Sequence, residues 1–348
     1  MMKFKAVFGA TIVGAISGMA AMTAMATGAS AAEVNLYSYR QPFLMDPLLD
    51  AFTEETGIVV NMVYLKSGML ERLKAEGANS PADLVLTADI GNLHNLVEAG
   101  LLQSSKSSVL DRNVPANLRH PDGLWYGLTT RARIIYAHKE RVKPGEVTSY
   151  EDLAKPHMKG RVCTRSGKHV YNVSLLASII AARGEAAAEA WARGVKENLA
   201  RKPQGNDRAQ VKAVFQGECD VSLGNTYYMG KMATNEKNPE QKEWAAAVNV
   251  IFPNQGGRGT HVNISGAGIT TSAKNKANAV KLIEFLSGEA AQRIYAEDNF
   301  EYPVKAGVEL HPIVAGWGTF KADETFLSEI AKHRTTATRI MDRVRYDN

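Results

Sequence analysis

Hydrophobic residues recur along this chain with two different periods, and stretches with one period alternate with stretches with the other. Short alternating or wholly apolar stretches predict strands at 34–39, 58–65, 83–87, 161–163, 221–223, 248–252 and 266–269. Apolar residues that recur every three or four positions predict helices at 45–56, 69–76, 90–98, 170–183, 185–199, 211–216, 277–286 and 290–297. This alternation of strands and helices is typical of an α/β fold with a mainly parallel sheet.

Three further features complete the predicted order of strands and helices. Pro42 is expected to end the first strand ahead of the first helix. The polar stretch at 129–133 is expected to separate one strand at 124–128 from another at 134–137. The last apolar pattern, at 327–344, predicts a single terminal helix with a basic end.

Residues 1–32 have the order of a secretory signal peptide. Two lysines come first, an Ala- and Gly-rich apolar run follows, and small residues precede Glu33. A transmembrane anchor is the alternative, but the run is only weakly apolar. We expect cleavage after Ala31 or Ala32 and export to the periplasm.

Length and charge limit the function classes that remain. The 348-residue chain without its signal is longer than one ordinary core, which predicts two lobes. Loss of Lys3 and Lys5 with the signal lowers the formal net charge from +5 to +3. That charge, without a basic run interleaved with aromatics, gives no reason to expect a nucleic-acid partner. Two α/β lobes in an exported chain indicate a hinged clamp around a small ligand.

The chain contains two cysteines, Cys163 and Cys219. An even number in an exported protein favours a disulfide, and two thiols are too few for a zinc site. Two buried free thiols are the alternative. A bridge would hold together two segments that also carry candidate site residues.

Three tyrosines stand where a predicted strand gives way to a helix. Tyr227 and Tyr228 come after the strand at 221–223, and Tyr171 comes after the strand at 161–163. Neighbouring side chains on a strand point to opposite faces, but in the first turn of a helix they can converge. A packed amphipathic edge of the core is the alternative interpretation of such a pair.

Three phenolates suit one ferric ion. Fe³⁺ is hard and triply charged and prefers anionic oxygen ligands. A free tyrosine has a pKa of about 10, but a bound cation stabilises the phenolate. Three phenolates would neutralise the ion, and a small bidentate anion such as carbonate could complete its coordination. Arg131, Arg40 and Gln41 are candidate donors to that anion.

Four segments of the chain resemble the periplasmic ferric-ion-binding proteins of bacterial ABC iron importers. They are LYSYRQPF at 36–43, LTTRAR at 128–133, SGKHVYN at 166–172 and GNTYY at 224–228, and the last is the most specific. The similarity runs from Glu33 to the C-terminus. It implies that Tyr171, Tyr227 and Tyr228 are the iron ligands.

The same resemblance implies the anion, the fold and the partners. Arg131 would hold carbonate or bicarbonate with help from Gln41 and Arg40. The fold would be a two-lobed, type II periplasmic binding protein, with mixed, mainly parallel sheets joined by crossing strands. The lobes would comprise 33–128 with 256–304, and 129–255 with 305–348. A monomer would deliver iron to an inner-membrane ABC permease and its ATPase.

The chain departs from some family members in the loop after the first strand. Those members have a His or a further Tyr there, whereas this chain has Gln41-Pro42. It therefore resembles the three-tyrosine branch, in which the external anion is more important. Lys231 occupies a position where related chains can carry Arg, but a lone lysine on a helix is usually solvated.

Two alternative functions remain open. The same fold could bind another solute, but an oxyanion would need helix N-terminal donors and a polyamine would need several carboxylates. The spacing of Tyr227 and Lys231 also matches that of Tyr/Lys-dependent oxidoreductases. Such enzymes need a glycine-rich turn after the first strand, where this chain has Arg40-Gln41-Pro42, so we expect no enzyme.

Overall fold

The computed structural model describes residues 32–348, and the predicted signal peptide lies outside them apart from Ala32. Ten strands lie within this range: β1 (Glu33–Ser38), β2 (Val59–Tyr64), β3 (Leu84–Thr87), β4 (Leu102–Gln103), β5 (Tyr126–His138), β6 (Val162–Cys163), β7 (Val221–Asn225), β8 (Val248–Ile251), β9 (Val262–Thr270) and β10 (Tyr302–Pro303).

Fourteen α-helices lie in the same range: α1 (Pro42–Thr56), α2 (Met69–Glu76), α3 (Ile90–Glu98), α4 (Ser108–Asn113), α5 (Val170–Arg183), α6 (Glu185–Glu197), α7 (Asp207–Phe215), α8 (Thr226–Ala233), α9 (Glu240–Ala246), α10 (Lys276–Ser287), α11 (Glu289–Glu297), α12 (Pro312–Ala315), α13 (Leu327–Lys332) and α14 (Arg334–Arg343). The predicted bounds of α2, α3 and α5 are confirmed. None of the helices at 32–348 has the length and apolar character needed to span a bilayer.

The strands form one mixed sheet in the order β2-β1-β3-β9-β5-β7-β6. Parallel pairs lie at its two ends, where β1 pairs with β2 and β3, and β6 pairs with β7. The centre is antiparallel, because β9 runs against β3 and β5, and β5 runs against β7 and β8. Antiparallel pairs therefore outnumber parallel ones. The alternation of strands and helices in the sequence predicts mainly parallel pairs instead.

Strand β5 is continuous, so the prediction of two strands separated at 129–133 is wrong. Its first part pairs with β9, from Tyr126 opposite Ala267 to Ala132 opposite Val262. Its second part pairs with β7, beginning with Arg133 opposite Asn225. Arg131 and Arg133, which interrupt the hydrophobic pattern, are buried and donate to Ser265 and Asp207, so this polar stretch belongs to a strand that carries site residues.

Strand β9 begins at Val262, four residues before the predicted start. The residues missed by the prediction include Asn263 and Ser265, which are polar but buried. The Asn263 amide donates to Asp89, and the Ser265 hydroxyl accepts from Arg40. Hydrophobic periodicity cannot identify strand residues whose burial depends on distant polar partners.

The largest differences between predicted and observed helices concern α1, α7 and the terminal helix. Helix α1 begins at Pro42 instead of after it, because the first turn of a helix needs no backbone donor from that residue. Helix α7 begins at Asp207, four residues before the predicted start. The predicted terminal helix is two helices, because the backbone at His333 leaves α-helical geometry with φ −88° and ψ 0°.

Residues Ala32–Asn348 form one compact unit, and the predicted lobe boundaries within it stay a prediction. Its buried apolar residues fall into two clusters. The smaller cluster includes Tyr136, Val211 and Met229, and it supports β5, α7 and α8. Cys163 and Cys219 belong to this cluster and are joined by a disulfide, with their Cα atoms 5.9 Å apart.

Candidate metal centre

Tyr171 lies in the first turn of α5, as the sequence predicts. His169 caps this helix, because its Nδ1 accepts a hydrogen bond from the Tyr171 N–H at 3.2 Å. Burial and the nearby charges of Arg165 and Arg133 lower the pKa of His169 to about 3. The imidazole is therefore neutral at ordinary pH, and Nδ1 is free to accept.

Tyr227 and Tyr228 lie in the first turn of α8, directly after β7. The phenol oxygens of Tyr227 and Tyr171 are 3.2 Å apart. The rings of Tyr227 and Tyr228 are tilted against each other with centroids 4.3 Å apart. The structure thus brings all three predicted tyrosines together from two separate strand-to-helix junctions.

The phenols of Tyr227 and Tyr228 resist ionisation in the metal-free protein. Burial raises the pKa of Tyr227 well above its ordinary value, and the neighbouring phenols Tyr171 and Tyr228 raise it further. Burial, followed by the effect of Tyr171, raises the pKa of Tyr228 to about 12. Phenolates can form here at neutral pH only when a cation compensates for them.

The three tyrosines line a cavity of about 130 Å³. Its other lining residues come from the segment after β1, from α1, from the residue after β3, and from α7, α8 and the segment after α11: Tyr39, Arg40, Gln41, Phe43, Leu44, Ala88, Arg208, Lys231 and Asn299. Within residues 32–348, no cluster of three or more His, Cys, Asp or Glu side chains is placed to hold a metal. The three phenols are oxygen donors that this cavity can offer to a hard cation once they lose their protons.

Glycine at position 230 lets α8 approach the opposite wall of the cavity. A Cβ at this position would lie 2.3 Å from ring atoms of Phe300. Lys231, next in the helix, reaches the same wall, where its amino group donates to the Asp298 carbonyl at 2.5 Å. The helix that carries Tyr227 and Tyr228 is thus packed closely against the segment at 298–300.

Arg40, a predicted anion donor, is occupied by another partner. Its two terminal nitrogens bind the carboxylate of Glu301 at 2.7 and 2.9 Å, and Nη1 also donates to Ser265 at 3.2 Å. Both members of the ion pair are buried. Within residues 32–348 only the Nε of Arg40 is left without a partner, and the donation of Arg40 to an external anion stays a prediction.

Arg131 and Gln41 lie on different sides of the tyrosines. Arg131 is buried, its guanidinium carbon lies 5.8 Å from the centre of the Tyr171 ring, and its Nη2 has no hydrogen-bond partner within residues 32–348. It faces a second, small cavity of about 10 Å³, roughly the space of one water, which Tyr171 also lines. Gln41 precedes α1 and is exposed at the edge of the larger cavity.

A buried ion cluster behind the tyrosines was not predicted from the sequence. Asp207 accepts from Arg133 at 2.8 Å, from Arg165 at 2.9 Å and from the Asn225 backbone N–H at 2.9 Å. Burial would raise the pKa of Asp207, but the two guanidinium groups outweigh it and hold the pKa below its ordinary value. The cluster joins β5, the loop before α5, the first residue of α7 and the end of β7.

Arg208 was also missed. It follows Asp207 in the first turn of α7, lines the larger cavity, and places its guanidinium carbon 5.1 Å from the centre of the Tyr228 ring. Asn206 caps α7 by accepting from the Ala209 N–H at 3.1 Å. The Asn206-Asp207 pair before an apolar run is a signal for the start of a helix. With that signal, the sequence would have placed Arg208 in the first turn of α7.

The mixed α/β sheet and a ligand-sized cavity beside the first turns of two helices define a solute-binding protein of the two-lobed, type II class. The comparison with protein families agrees, since a family model matches residues 79–316. This chain belongs to the bacterial extracellular solute-binding protein family.

Several relatives resemble the chain over most of its length. Iron uptake protein A1 of Synechocystis sp. is 51% identical over 311 residues, which cover 89% of this chain and 86% of the relative. The apo ferric ion-binding protein A of Pasteurella haemolytica has 52% identity and a TM-score of 0.87, covering 91% of this chain and 99% of the other. A Trichodesmium protein in complex with iron and citrate ligands has 46% identity and a TM-score of 0.86, covering 90% and 99%.

Proposed function

We propose that this protein binds ferric iron through Tyr171, Tyr227 and Tyr228 and delivers it to an ABC importer. The observation that carries this proposal is the 3.2 Å approach of the Tyr171 and Tyr227 phenol oxygens inside a cavity that Tyr228 also lines. The iron-binding names of relatives that share about half of this sequence support the same ligand.

The charge of the donor set favours Fe³⁺ over divalent ions. Three phenolates carry three negative charges, which balance one ferric ion and would overcompensate a divalent one. Hard oxygen donors also match a small trivalent cation better than soft ligands do. The raised pKa values of Tyr227 and Tyr228 mean that a weakly polarising cation would not displace their protons.

A carbonate or bicarbonate ion would complete the coordination. Arg131 is its strongest candidate donor, because Nη2 is buried without a hydrogen-bond partner in the described part of the chain. Gln41, at the edge of the larger cavity, would be a second donor. Arg40 would instead hold the cavity wall in place through Glu301.

The family assignment supports an extracytoplasmic role. We infer that the protein acts in the periplasm as a monomer, that closure of the two predicted lobes traps the iron, and that an inner-membrane permease with its ATPase receives it. Catalysis is not part of this proposal. The Tyr227 phenol contacts Tyr171 and the Lys231 amino group donates to Asp298, so each has a partner other than those of an oxidoreductase pair.

A visible-spectrum titration tests the proposal. The mature protein is titrated with a ferric salt in bicarbonate buffer, and a one-to-one phenolate-to-iron charge-transfer band is expected to give it colour. Gallium, a colourless trivalent ion, should compete for the same site, and zinc should not. A protein that stays colourless, or that binds zinc as tightly as iron, would disprove ferric binding by tyrosinates.

A further inference from the structure

The segment after α14 contacts the loop that leads to Tyr171, which spans 164–169 between β6 and α5. One carboxylate oxygen of Asp347 accepts a hydrogen bond from the Gly167 N–H at 2.7 Å. The other oxygen accepts from the Ser166 hydroxyl at 2.6 Å. These two hydrogen bonds tie the loop to a segment that is 180 residues away in the sequence.

Tyr346 packs against the same loop. Its ring is buried, and its hydroxyl lies 3.2 Å from the hydroxyl of Thr164. A Cβ at Gly167 would lie 2.6 Å from a ring atom of Tyr346, so glycine lets the loop rest on this ring. Arg345 turns the chain after α14 in a left-handed conformation with φ 51°, which is strained for a residue with a side chain. Such strain persists where surrounding contacts hold the backbone, and Tyr346 and Asp347 supply contacts of this kind.

The position of Ser166 is passed on to the first turn of α5. The Ser166 carbonyl accepts from the His169 N–H at 3.1 Å and from the Asn172 side-chain amide at 3.0 Å. His169 caps α5, and Asn172 is the residue next to Tyr171. A shift of Ser166 therefore moves residues on both sides of Tyr171.

Asp347 restrains the backbone of this loop, whereas a nearby ion pair does not. Without Asp347, the N–H of the buried Gly167 would have no acceptor within residues 32–348, and the loop would have to move for it to reach water. Asp342, on α14, instead contacts the loop through the Lys168 side chain, and both of these side chains are exposed. Asp342 therefore touches the same loop without fixing its backbone.

We propose that Asp347, supported by Tyr346, is a positioning residue for iron binding that holds Tyr171 in place beside Tyr227. This inference rests on the proposed function, because it requires Tyr171 to be an iron ligand. A metal site needs its ligands within about 0.5 Å of the productive geometry. Tyr171 comes from a different helix than Tyr227 and Tyr228, so its placement depends on the loop that Asp347 holds.

A double-mutant cycle between Asp347 and Tyr171 tests this inference. The wild type, Asp347→Ala, Tyr171→Phe and the double variant compete for ferric iron against a chelator in bicarbonate buffer. Asp347→Asn keeps an acceptor for the Gly167 N–H and tests for recovery, and Asp342→Asn is the matched control. Urea midpoints of every variant are measured as well, so that the iron affinities are compared among folded proteins.

We expect Asp347→Ala to weaken ferric affinity about tenfold, because residues that orient a metal ligand contribute about tenfold to a hundredfold. In the Tyr171→Phe protein the same change should cost less than about twofold, because the phenol that it positions is absent. The charge-transfer band of Asp347→Ala should be weaker per bound iron, because Tyr171 is no longer held at the metal. Asp347→Asn should lie between Asp347→Ala and the wild type, and Asp342→Asn should match the wild type.

Three results would overturn the inference: wild-type affinity in Asp347→Ala, equal losses from Asp347→Ala with and without the Tyr171 phenol, or a loss in Asp342→Asn as large as that in Asp347→Ala. Failure of the proposed function is distinguishable from these results. In that case the wild type would bind no ferric iron, or Tyr171→Phe would bind it as the wild type does.

Discussion

The phenol oxygens of Tyr171 and Tyr227 lie 3.2 Å apart, although 56 residues separate them in the chain. Each residue is in the first turn of its helix, and the disulfide between Cys163 and Cys219 joins the segments that lead to those helices. Burial keeps the Tyr227 phenol protonated until a cation arrives. The contact therefore joins two phenols from separate helices, and the Tyr227 phenol is neutral in the metal-free protein.

Replacement of Tyr227 by Phe should reduce ferric affinity by at least about a hundredfold, because it removes a charged ligand. Mutation of a residue that only hydrogen-bonds to a metal ligand already lowers metal affinity by about tenfold to a hundredfold. Competition against a chelator of known strength measures the loss. Tyr64→Phe, at a half-buried position on β2 outside the cavity, is the matched control and should bind as the wild type does. Equal affinities of the two variants would rule out Tyr227 as a ligand.

The tyrosine positions could be predicted because their signals are local. A strand, a polar cap and a tyrosine in the following turn are all within a few residues of one another, and the structure has that order at Tyr171 and at Tyr227. Their closeness to each other was inferred from the possible disulfide and from the resemblance. The pairing of Cys163 with Cys219 rested on the parity of the cysteine count, and the structure joins them.

The electrostatic partners could not be predicted, because they are distant in the sequence. Arg40 and Glu301 are 261 residues apart, so nothing near Arg40 indicates that its fork is filled. Arg131 and Arg133 look like loop residues by hydropathy, yet they lie in β5, where Asp207 and Ser265 stabilise their charges. Burial of charge depends on tertiary contacts, which periodicity does not record.

Alkaline pH should destabilise the iron-free protein through Tyr228. Its folded-state pKa of about 12 exceeds the ordinary value, so the folded protein holds this proton more tightly than the unfolded chain. The resulting stability is fully present below about pH 10 and is lost as the pH rises towards 12. Urea midpoints measured from pH 9 to 12 should fall less steeply for Tyr228→Phe than for the wild type. Identical pH profiles would show that Tyr228 is not buried as a neutral phenol.

The Asp207 cluster should stabilise the protein strongly. Asp207→Asn leaves Arg133 and Arg165 without a counter-charge in a buried site, and we expect a loss of about 3–5 kcal/mol in the free energy of unfolding. Asp342→Asn breaks the exposed pair with Lys168 and should cost less than about 1 kcal/mol. Chemical denaturation measures both. A loss for Asp207→Asn no larger than that for Asp342→Asn would contradict the buried cluster.

The disulfide should stabilise the fold by restricting the unfolded chain. Its sequence separation of 56 residues predicts a contribution of about 4 kcal/mol in the loop-entropy model. The double variant Cys163→Ala/Cys219→Ala should unfold at a correspondingly lower denaturant concentration than the oxidised wild type. Under reducing conditions the difference should shrink, because the wild type then also lacks the bridge. A wild type insensitive to reduction, with the same midpoint as the variant, would show that no bridge forms.

The location of bound iron tests the central claim most directly. Crystals of the iron-loaded protein, measured at the iron absorption edge, should show one anomalous peak in the larger cavity within bonding distance of the Tyr171, Tyr227 and Tyr228 phenol oxygens. An iron peak elsewhere, or one that any of these three oxygens does not contact, would contradict the account.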